Sequence, residues 1–391
     1  MMFYCEKVLY NSKKNICEVI LDFESADDVR IFGIELLRFT PEKKQSIIVL
    51  KNLSYISRKG FRRGEWYDFP LNFFNNFLAE SVTERNSRIL TKYEHNKDKP
   101  LNIQKFKVKR NHVQDFSGVN INKNWGKMKE FLVYFSFTED TELIVKNVGC
   151  GNWNEVKTGE KTLIYDLGGD ILSSDQEMRS IIKSSSVKNE YICVISHWDL
   201  DHYKAILDLT LEELQNMKCI IVPTLTPNTH QYKETMDRLV ESKIPIFRIH
   251  PTQKTQKHRI TLKRIQKVER VIFYRSSDGS KINQSGIVLV ISGNDKNVIL
   301  TGDHHYLQLK NSVFNDLNPE KKIVFIVPHH GGSAGNFARY KNMFPSNMEG
   351  ALSTKINRYD NVPIQGIHNF FVKINNFHCT DCRKKEYITK L

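Results

Sequence analysis

YICVISHWDLDH, residues 191–202, sets four ionisable side chains directly after an apolar run. Tyr191 to Ile195 has the length and β-branched character of a buried strand. His197, Asp199, Asp201 and His202 then follow within six positions. Two imidazoles and two carboxylates crowded at a strand end repel one another and desolvate badly unless a cation binds among them. Alternate residues of an extended turn point the same way, so His197 and Asp199 can converge on one ion. Asp201 and His202, beyond the bend, can face a second. Mixed nitrogen and oxygen donors suit zinc or manganese rather than calcium or magnesium alone.

Two more apolar runs end in the same manner. Asn297 to Leu300 runs into Thr301-Gly302-Asp303, which puts a carboxylate where it can bridge two ions. Lys322 to Val327 runs into Pro328-His329-His330-Gly331-Gly332. Three acidic or histidine clusters, each just after an apolar strand, are the distribution produced when strand ends assemble one site.

Taken in order, NVGCGN (147–152), YDLGG (165–169), SHWDLDH (196–202), NQSGIVL (283–289), TGD (301–303), PHHGG (328–332) and STKINRY (353–359) resemble the metallo-β-lactamase superfamily. They are most similar to the nuclease-like domain of ComEC-type DNA-uptake proteins. The resemblance covers roughly residues 130 to 391, about two-thirds of the chain. It implies an α/β fold, a four-layer αββα sandwich with its metals at one edge of the two sheets. It implies metal ligands at His197, Asp199, Asp201, His202, Asp303 and His329, and catalytic roles for Asp201 and His330. Asp166 matches a buried aspartate that orients the metal loop. Lys355, Asn357 and Arg358, with Tyr359, match a segment by the mouth of the site and are expected to bind substrate.

The sequence also departs from the family pattern. Asn152 stands where related domains carry an aspartate, and His202-Tyr203-Lys204-Ala205 lacks the glycine that commonly follows the ligand motif. After Asn357-Arg358-Tyr359 the family continues Gly-His-Pro, whereas here Asp360-Asn361-Val362-Pro363 follows, leaving Asp360 or His368 as substitutes. Between Cys219 and Thr301 the candidate for a third-motif histidine is His230.

Outward from these motifs, the chain reads as two parts. Residues 1–125 form an additional, accessory N-terminal domain of unknown function, and 130–391 the hydrolase domain. Strands are expected at Ile16 to Phe23, Ser46 to Leu50, Phe131 to Phe137, Glu142 to Val148 and Lys161 to Leu167. Helices are expected at Asp175 to Lys183, Leu211 to Met217 and Gln231 to Ser242. Lys92 to Asn124 is polar and weakly periodic, as in a linker or irregular edge. Arg58 to Arg63 (RKGFRR) reads as a basic turn, either a phosphate contact or a solvated loop. Trp198 is expected to be a packing wedge, and His304 and His305 exposed turn residues. The 391 residues are 40% hydrophobic and 26% charged, which is ordinary for a soluble globular protein. No window has the ~18 to 20 apolar residues of a membrane span, so no membrane partner and a cytoplasmic location are expected. Seven scattered cysteines argue against a disulfide framework, and Cys379-Thr-Asp-Cys382 is the pair with metal-like spacing.

The net charge of +14 favours a polyanionic partner such as nucleic acid. Lys254 to Arg270 is either an extension of a basic track or a solvated face. These features lead to a metal-dependent phosphodiesterase or nuclease with two divalent ions, zinc or manganese, and a metal-activated water. The alternatives are hydrolysis of a small molecule, such as a cyclic nucleotide, lactone or other ester, and a metal-binding regulatory module with little turnover. Residues 1–125 are candidates for contact with other proteins of a multi-gene system.

Overall fold

The strand Glu190–Val194 that delivers the ligand motif lies inside an eight-stranded sheet, with Lys161–Leu167 and Met217–Pro223 parallel on either side. The structure, a computed structural model, describes residues 1–11, 14–41, 45–54, 60–80, 88–95, 103–108, 113–114, 119–120, 125–134, 137–251, 260–277, 282, 285–345, 348–359 and 362–391. The sheet runs Tyr387–Lys390, Glu142–Val145, Trp153–Thr158, Lys161–Leu167, Glu190–Val194, Met217–Pro223, Ile246–Ile249 and Val119–Asn120. Its pairing is antiparallel as far as Lys161–Leu167 and parallel beyond.

A seven-stranded sheet repeats that plan: Leu262–Val268, Val271–Ser276, Ile287–Ser292, Lys296–Leu300, Lys322–Ile326, Met348–Leu352 and His378–Cys379. Here the change from antiparallel to parallel falls at Lys296–Leu300. Leu163, Tyr165, Ile192, Val194 and Ile221 of one sheet share a buried cluster with Phe273, Leu289, Val298 and Val324 of the other. The sheets are therefore packed face to face, as period-two alternation of apolar residues requires.

Each sheet's other face is covered by helices. Ile164, Tyr191, Cys193 and Ile220 pack with Met178, Ile182, Met236 and Leu239. Helix Asp175–Lys183 shows why: Met178 and Ile182 are one turn apart on its inner face, and a reciprocal Ser174–Glu177 capping box starts it. On the far side Tyr274, Val288 and Phe325 pack with Tyr306, Leu309, Ile367 and Phe371. The layers are thus αββα, as the motif order implied.

Residues before 109 build a third sheet, ordered Phe77–Glu80, Ile89–His95, Ile47–Ser54, Ile16–Phe23, Met2–Asn11, Trp66–Asp68 and Lys107–Val108. One face carries an aromatic cluster of Phe3, Phe23, Phe32, Phe69, Phe73 and Phe74. The opposite face, through Leu9, Ile20, Ile47, Val49 and Ile89, joins the cluster on the helical side of the eight-stranded sheet. A bulge between Cys5 and Lys7 changes the register of Met2–Asn11 against Ile16–Phe23. Phe3 and Cys5 face the aromatic side, whereas Lys7, now opposite Ile20, is turned toward the sandwich.

Two expected elements differ. Phe131 to Phe137, read as a strand from its aromatics, is largely taken up by helix Trp125–Tyr134. Met128 and Leu132, four residues apart, are its buried stripe on the sandwich, so tertiary packing overrides strand propensity. The polar stretch from Lys92 begins inside the paired strand Ile89–His95, where Leu90 and Tyr93 are buried. Farther on, Val113–Gln114 pairs with Leu225–Thr226. No helix among the described residues is long and apolar enough to cross a membrane.

Candidate metal centre

The donors stand where strands of the two sheets end beside one another. Asp166, at the end of Lys161–Leu167 in a left-handed conformation (φ 62°), organises the segment after Glu190–Val194. Its Oδ1 accepts the Ser196 amide at 2.6 Å. Its Oδ2 accepts from Ser196 Oγ at 2.8 Å, Asn152 Nδ2 at 2.7 Å and His202 Nδ1 at 2.8 Å. Holding Nδ1 of His202 turns Nε2 into the site. Ser196 Oγ does the same for His197 through Nδ1, at 2.9 Å. Gly168 is obligatory here, because a Cβ at this position would lie 1.9 Å from the Asp201 carbonyl oxygen.

His197, His202 and Asp303 form one group of potential ligand atoms, and Asp201, His202 and His330 another, each within 4.8 Å. All five residues are buried. The Nε2 atoms of His197, His202 and His330 lack a hydrogen-bond partner, the condition in which a buried imidazole is most costly without a ligand. Buried nitrogen donors without partners, converging with carboxylates, fit a divalent ion of the zinc or manganese kind.

Opposite charges are closely matched around the donors. Burial alone would raise the carboxyls of Asp199, Asp201 and Asp303, yet all three are held below the usual range. The opposing influences are chiefly Arg63 on Asp199, Lys7 on Asp201, and His329 and His202 on Asp303. Burial would lower His202, but Asp166 and Asp303 outweigh it and raise the imidazole well above its ordinary pKa. Burial pushes His330 down, which keeps it neutral.

The two histidines of Pro328-His329-His330 point in different directions. His330, assigned to catalysis, stands in a donor group. His329, expected as a ligand, has both ring nitrogens engaged, Nδ1 at 2.8 Å from Asp303 Oδ2 and Nε2 at 3.2 Å from Arg63. Consecutive left-handed φ angles of 54° and 55° produce this divergence. Such strain, about 1–3 kcal/mol per residue, is held where surrounding contacts over-determine it.

The mouth segment is close by but does not reach in. Arg358 Nε is 3.3 Å from Asp170, which also accepts Tyr359 Oη at 2.8 Å. Lys355 lies 3.8 Å from Glu177, and Asn357 is exposed with φ 62°. None of Lys355, Asn357 and Arg358 makes a hydrogen bond or ion pair with the donors among the described residues.

Of the proposed substitutes, His230 opens helix His230–Glu241 and is in neither donor group. Asp360 is outside the described residues, as are His258 and the 252–259 part of the Lys254 to Arg270 stretch. The remainder of that stretch includes the edge strand Leu262–Val268, with Lys263, Arg264 and Lys267 exposed. His368 instead lies 3.3 Å from Cys382 Sγ. Cys379 and Cys382, the pair with metal-like spacing, are joined as a local disulfide, and His378 bonds the Lys385 carbonyl rather than either sulfur. His304, expected in an exposed turn, is fully buried and bonds the Thr301 carbonyl through Nδ1 at 3.0 Å. Trp198 is a packing residue, with Nε1 donating to the Pro223 carbonyl.

Two cations from the N-terminal part reach the donors: Lys7, which the sequence reading missed, and Arg63, which it placed in a basic turn read as a phosphate contact or a solvated loop. Lys7 Nζ is 2.8 Å from Asp201 Oδ2 and lies over the Tyr359 ring, 4.8 Å from its centroid. The Arg63 guanidinium binds Asp199 and comes within 3.7 Å of Asp201 and 3.8 Å of Asp303. Gly64 N donates to the Cys5 carbonyl at 2.8 Å, and Cys5 N to that of Glu65 at 3.0 Å, so the Arg63 loop is fastened to the Lys7 bulge. A charged pair, Glu6-Lys7, inside the otherwise apolar strand was the available sequence signal for Lys7.

The layer order and this histidine–aspartate centre define a sandwich of the metallo-β-lactamase type with an added N-terminal sheet. No protein-family model matches the chain, and no curated protein matches it in sequence. Among solved structures it is similar to a variant of the CmlA β-hydroxylase, with TM-score 0.39 and 10% identity over 68% of this chain. That match spans 60% of the hydroxylase. It is also similar to the metallo-β-lactamase fold protein YhfI from Bacillus subtilis, with TM-score 0.36 and 9% identity over 63% of this chain and 99% of that one. At such scores the fold assignment stands on the layers and strand ends themselves.

Proposed function

We propose that the protein is a metal-dependent hydrolase acting on phosphodiesters, with nucleic acid as the preferred substrate class. The observation that carries this reading is the convergence of three buried imidazole Nε2 atoms lacking partners with the carboxylates of Asp199, Asp201 and Asp303. His197, His202 and Asp303 would hold zinc or manganese, with Asp201 and His330 beside the ion. When bound, the metal supplies a Lewis acid and lowers the pKa of water.

The chain's own residues do the rest. Asp201, kept ionised beside Lys7, accepts a hydrogen bond from the attacking water and orients it. His330, kept neutral by burial, is the group able to take a proton and return it to the leaving oxygen. Lys7 and Arg63 at the centre, with Lys355 and Arg358 farther out, favour an anionic phosphodiester over a neutral lactam or lactone. The net charge of +14 favours a polyanion in the same way.

The test is cleavage of bis(p-nitrophenyl) phosphate and of single-stranded and plasmid DNA by protein supplied with zinc or with manganese. Turnover that falls at least ~100-fold in His330→Ala and Asp201→Ala supports the reading. Ester or lactone turnover without phosphodiester cleavage would replace it with the small-molecule alternative. Equal activity in both variants would mean the centre is misassigned.

A further inference from the structure

Lys7 and Arg63 make an unusual pair of neighbours for a centre of this donor chemistry, because they already occupy carboxylates that ions would share. The Arg63 guanidinium spans the gap between Asp199 and His329, with one terminal nitrogen on the Asp199 carboxylate and the other 3.2 Å from His329 Nε2. It is four-fifths buried, and the Lys7 ammonium on Asp201 more so. Neither is a surface side chain that has folded in from solvent: the bulge turns Lys7 to this face, and two backbone hydrogen bonds hold the Arg63 loop against it.

Three carboxylates face the centre, Asp199, Asp201 and Asp303. Two divalent ions would leave a bare three-carboxylate centre with one net positive charge. Lys7 and Arg63 together carry the charge of one divalent ion, so with them present a single ion reaches the same balance. A second would raise the buried excess to three positive charges, which a low-dielectric site disfavours strongly. The ligand atoms left clear of the two side chains point the same way. His197 Nε2 and His202 Nε2 have no hydrogen-bond partner, and Asp303 Oδ1 lies 3.3 Å from His202 Nε2.

The geometry points to a one-ion centre: His197, His202 and Asp303 hold a single divalent metal, and the guanidinium of Arg63 with the ammonium of Lys7 stands in place of the second. This rests on the metal-binding part of the proposed function, and it departs from the two-ion expectation drawn from the motifs. Arg63 and Lys7 are therefore part of the centre, and the N-terminal sheet completes it. His330, outside the ion's ligands, remains available for proton transfer.

The experiment is metal counting on the full chain. Protein stripped with a chelator is equilibrated with zinc in non-reducing buffer, which keeps the Cys379–Cys382 disulfide closed, and bound zinc is measured by elemental mass spectrometry. About one zinc per chain is expected for the native protein, and about two for Arg63→Met with Lys7→Met. Arg63→Lys, which keeps the charge, should stay near one. Because the double variant buries new apolar groups, Asp199→Asn is a second arm that leaves the cations in place. At saturating zinc it should still bind one ion, more weakly than native because one of the three carboxylate charges is gone, since Asp199 pairs with Arg63 and is not a ligand.

Two zinc ions in the native protein, or loss of the zinc in Asp199→Asn, would overturn the one-ion centre while leaving the hydrolase reading standing. No zinc or manganese at all would remove the metal reading and this inference together.

Discussion

Replacing Asp166 by asparagine is the sharpest probe of how the fold builds the centre. The side chain is fully buried and receives four hydrogen bonds of 2.6–2.8 Å, one on Oδ1 and three on Oδ2. Asparagine has the same shape, but one of its two positions becomes a donor. The three donors converging on Oδ2 favour oxygen there, so the new amide nitrogen must face the Ser196 N–H. One buried backbone donor then loses its acceptor, at about 1–3 kcal/mol, and the other three bonds lose their charge assistance. The sum expected is about 3–5 kcal/mol of stability, the range found when one partner of a buried charged network is removed. His202 also loses the anion that fixes its ring, so zinc affinity should fall about 10–100-fold. Urea unfolding followed by tryptophan fluorescence gives the first quantity, and zinc competition against a chromophoric chelator the second. A stability change under ~1 kcal/mol with zinc affinity within ~2-fold of native would refute the orienting role of Asp166.

Stability should fall as pH rises from about 4 to 7, by up to about 4 kcal/mol from Asp22. Burial pushes its carboxyl up to about 7, despite hydrogen bonds from Thr229, the Gln231 and Phe23 amides and Ser46. The folded protein keeps that proton over a range where the unfolded chain has released it. The penalty is therefore absent below the unfolded pKa and complete above the folded one. Asp22→Asn should flatten that slope in chemical denaturation between about pH 4 and 7, the span of the two pKa values, and an unchanged slope would assign the dependence elsewhere. Gly168→Ala drives a methyl into the Asp201 carbonyl, with 2.7 Å to that of Asn152 as well. It should lower stability by about 1–3 kcal/mol and zinc affinity by at least ~10-fold; native-like affinity in a calorimetric titration would show that the turn can relax.

What could be read from the sequence divides by how local the determining interactions are. Ile16–Phe23, Lys161–Leu167 and Ile287–Ser292 are short runs dominated by apolar residues, and each is a largely buried strand. The ligand motif was legible for the same reason, since His197, Asp199, Asp201 and His202 are gathered by one turn after one strand. Helix Trp125–Tyr134 was not, because its aromatics argue for strand while only Met128 and Leu132 carry the helical spacing. The roles of His329 and His330 depend on two successive left-handed residues, which no side-chain pattern announces. The meeting of Lys7 and Arg63 with the donors lay furthest out of reach. Their approach requires a bulge, a loop fastened to it, and the docking of a whole sheet.

That docking and the chemistry of the centre are linked. The N-terminal sheet places Leu9, Ile20, Ile47, Val49 and Ile89 against the helices. It also buries Arg88 between Asp208, at 3.1 Å, and Glu234, at 3.4 Å. Lys7 and Arg63 extend the same contact into the centre, where Asp201 and Asp199 receive them. A buried cation whose carboxylate is taken by something else is left uncompensated, at several kcal/mol. An ion that captured Asp201 from Lys7 would therefore bind at the expense of the sheet's hold on the sandwich. An ion seated on His197, His202 and Asp303 takes nothing from Lys7 or from the Asp199 side of Arg63. Metal binding there adds to the stability of the docked state by mass action, and the sheet and the ion then support each other at the one-ion stoichiometry.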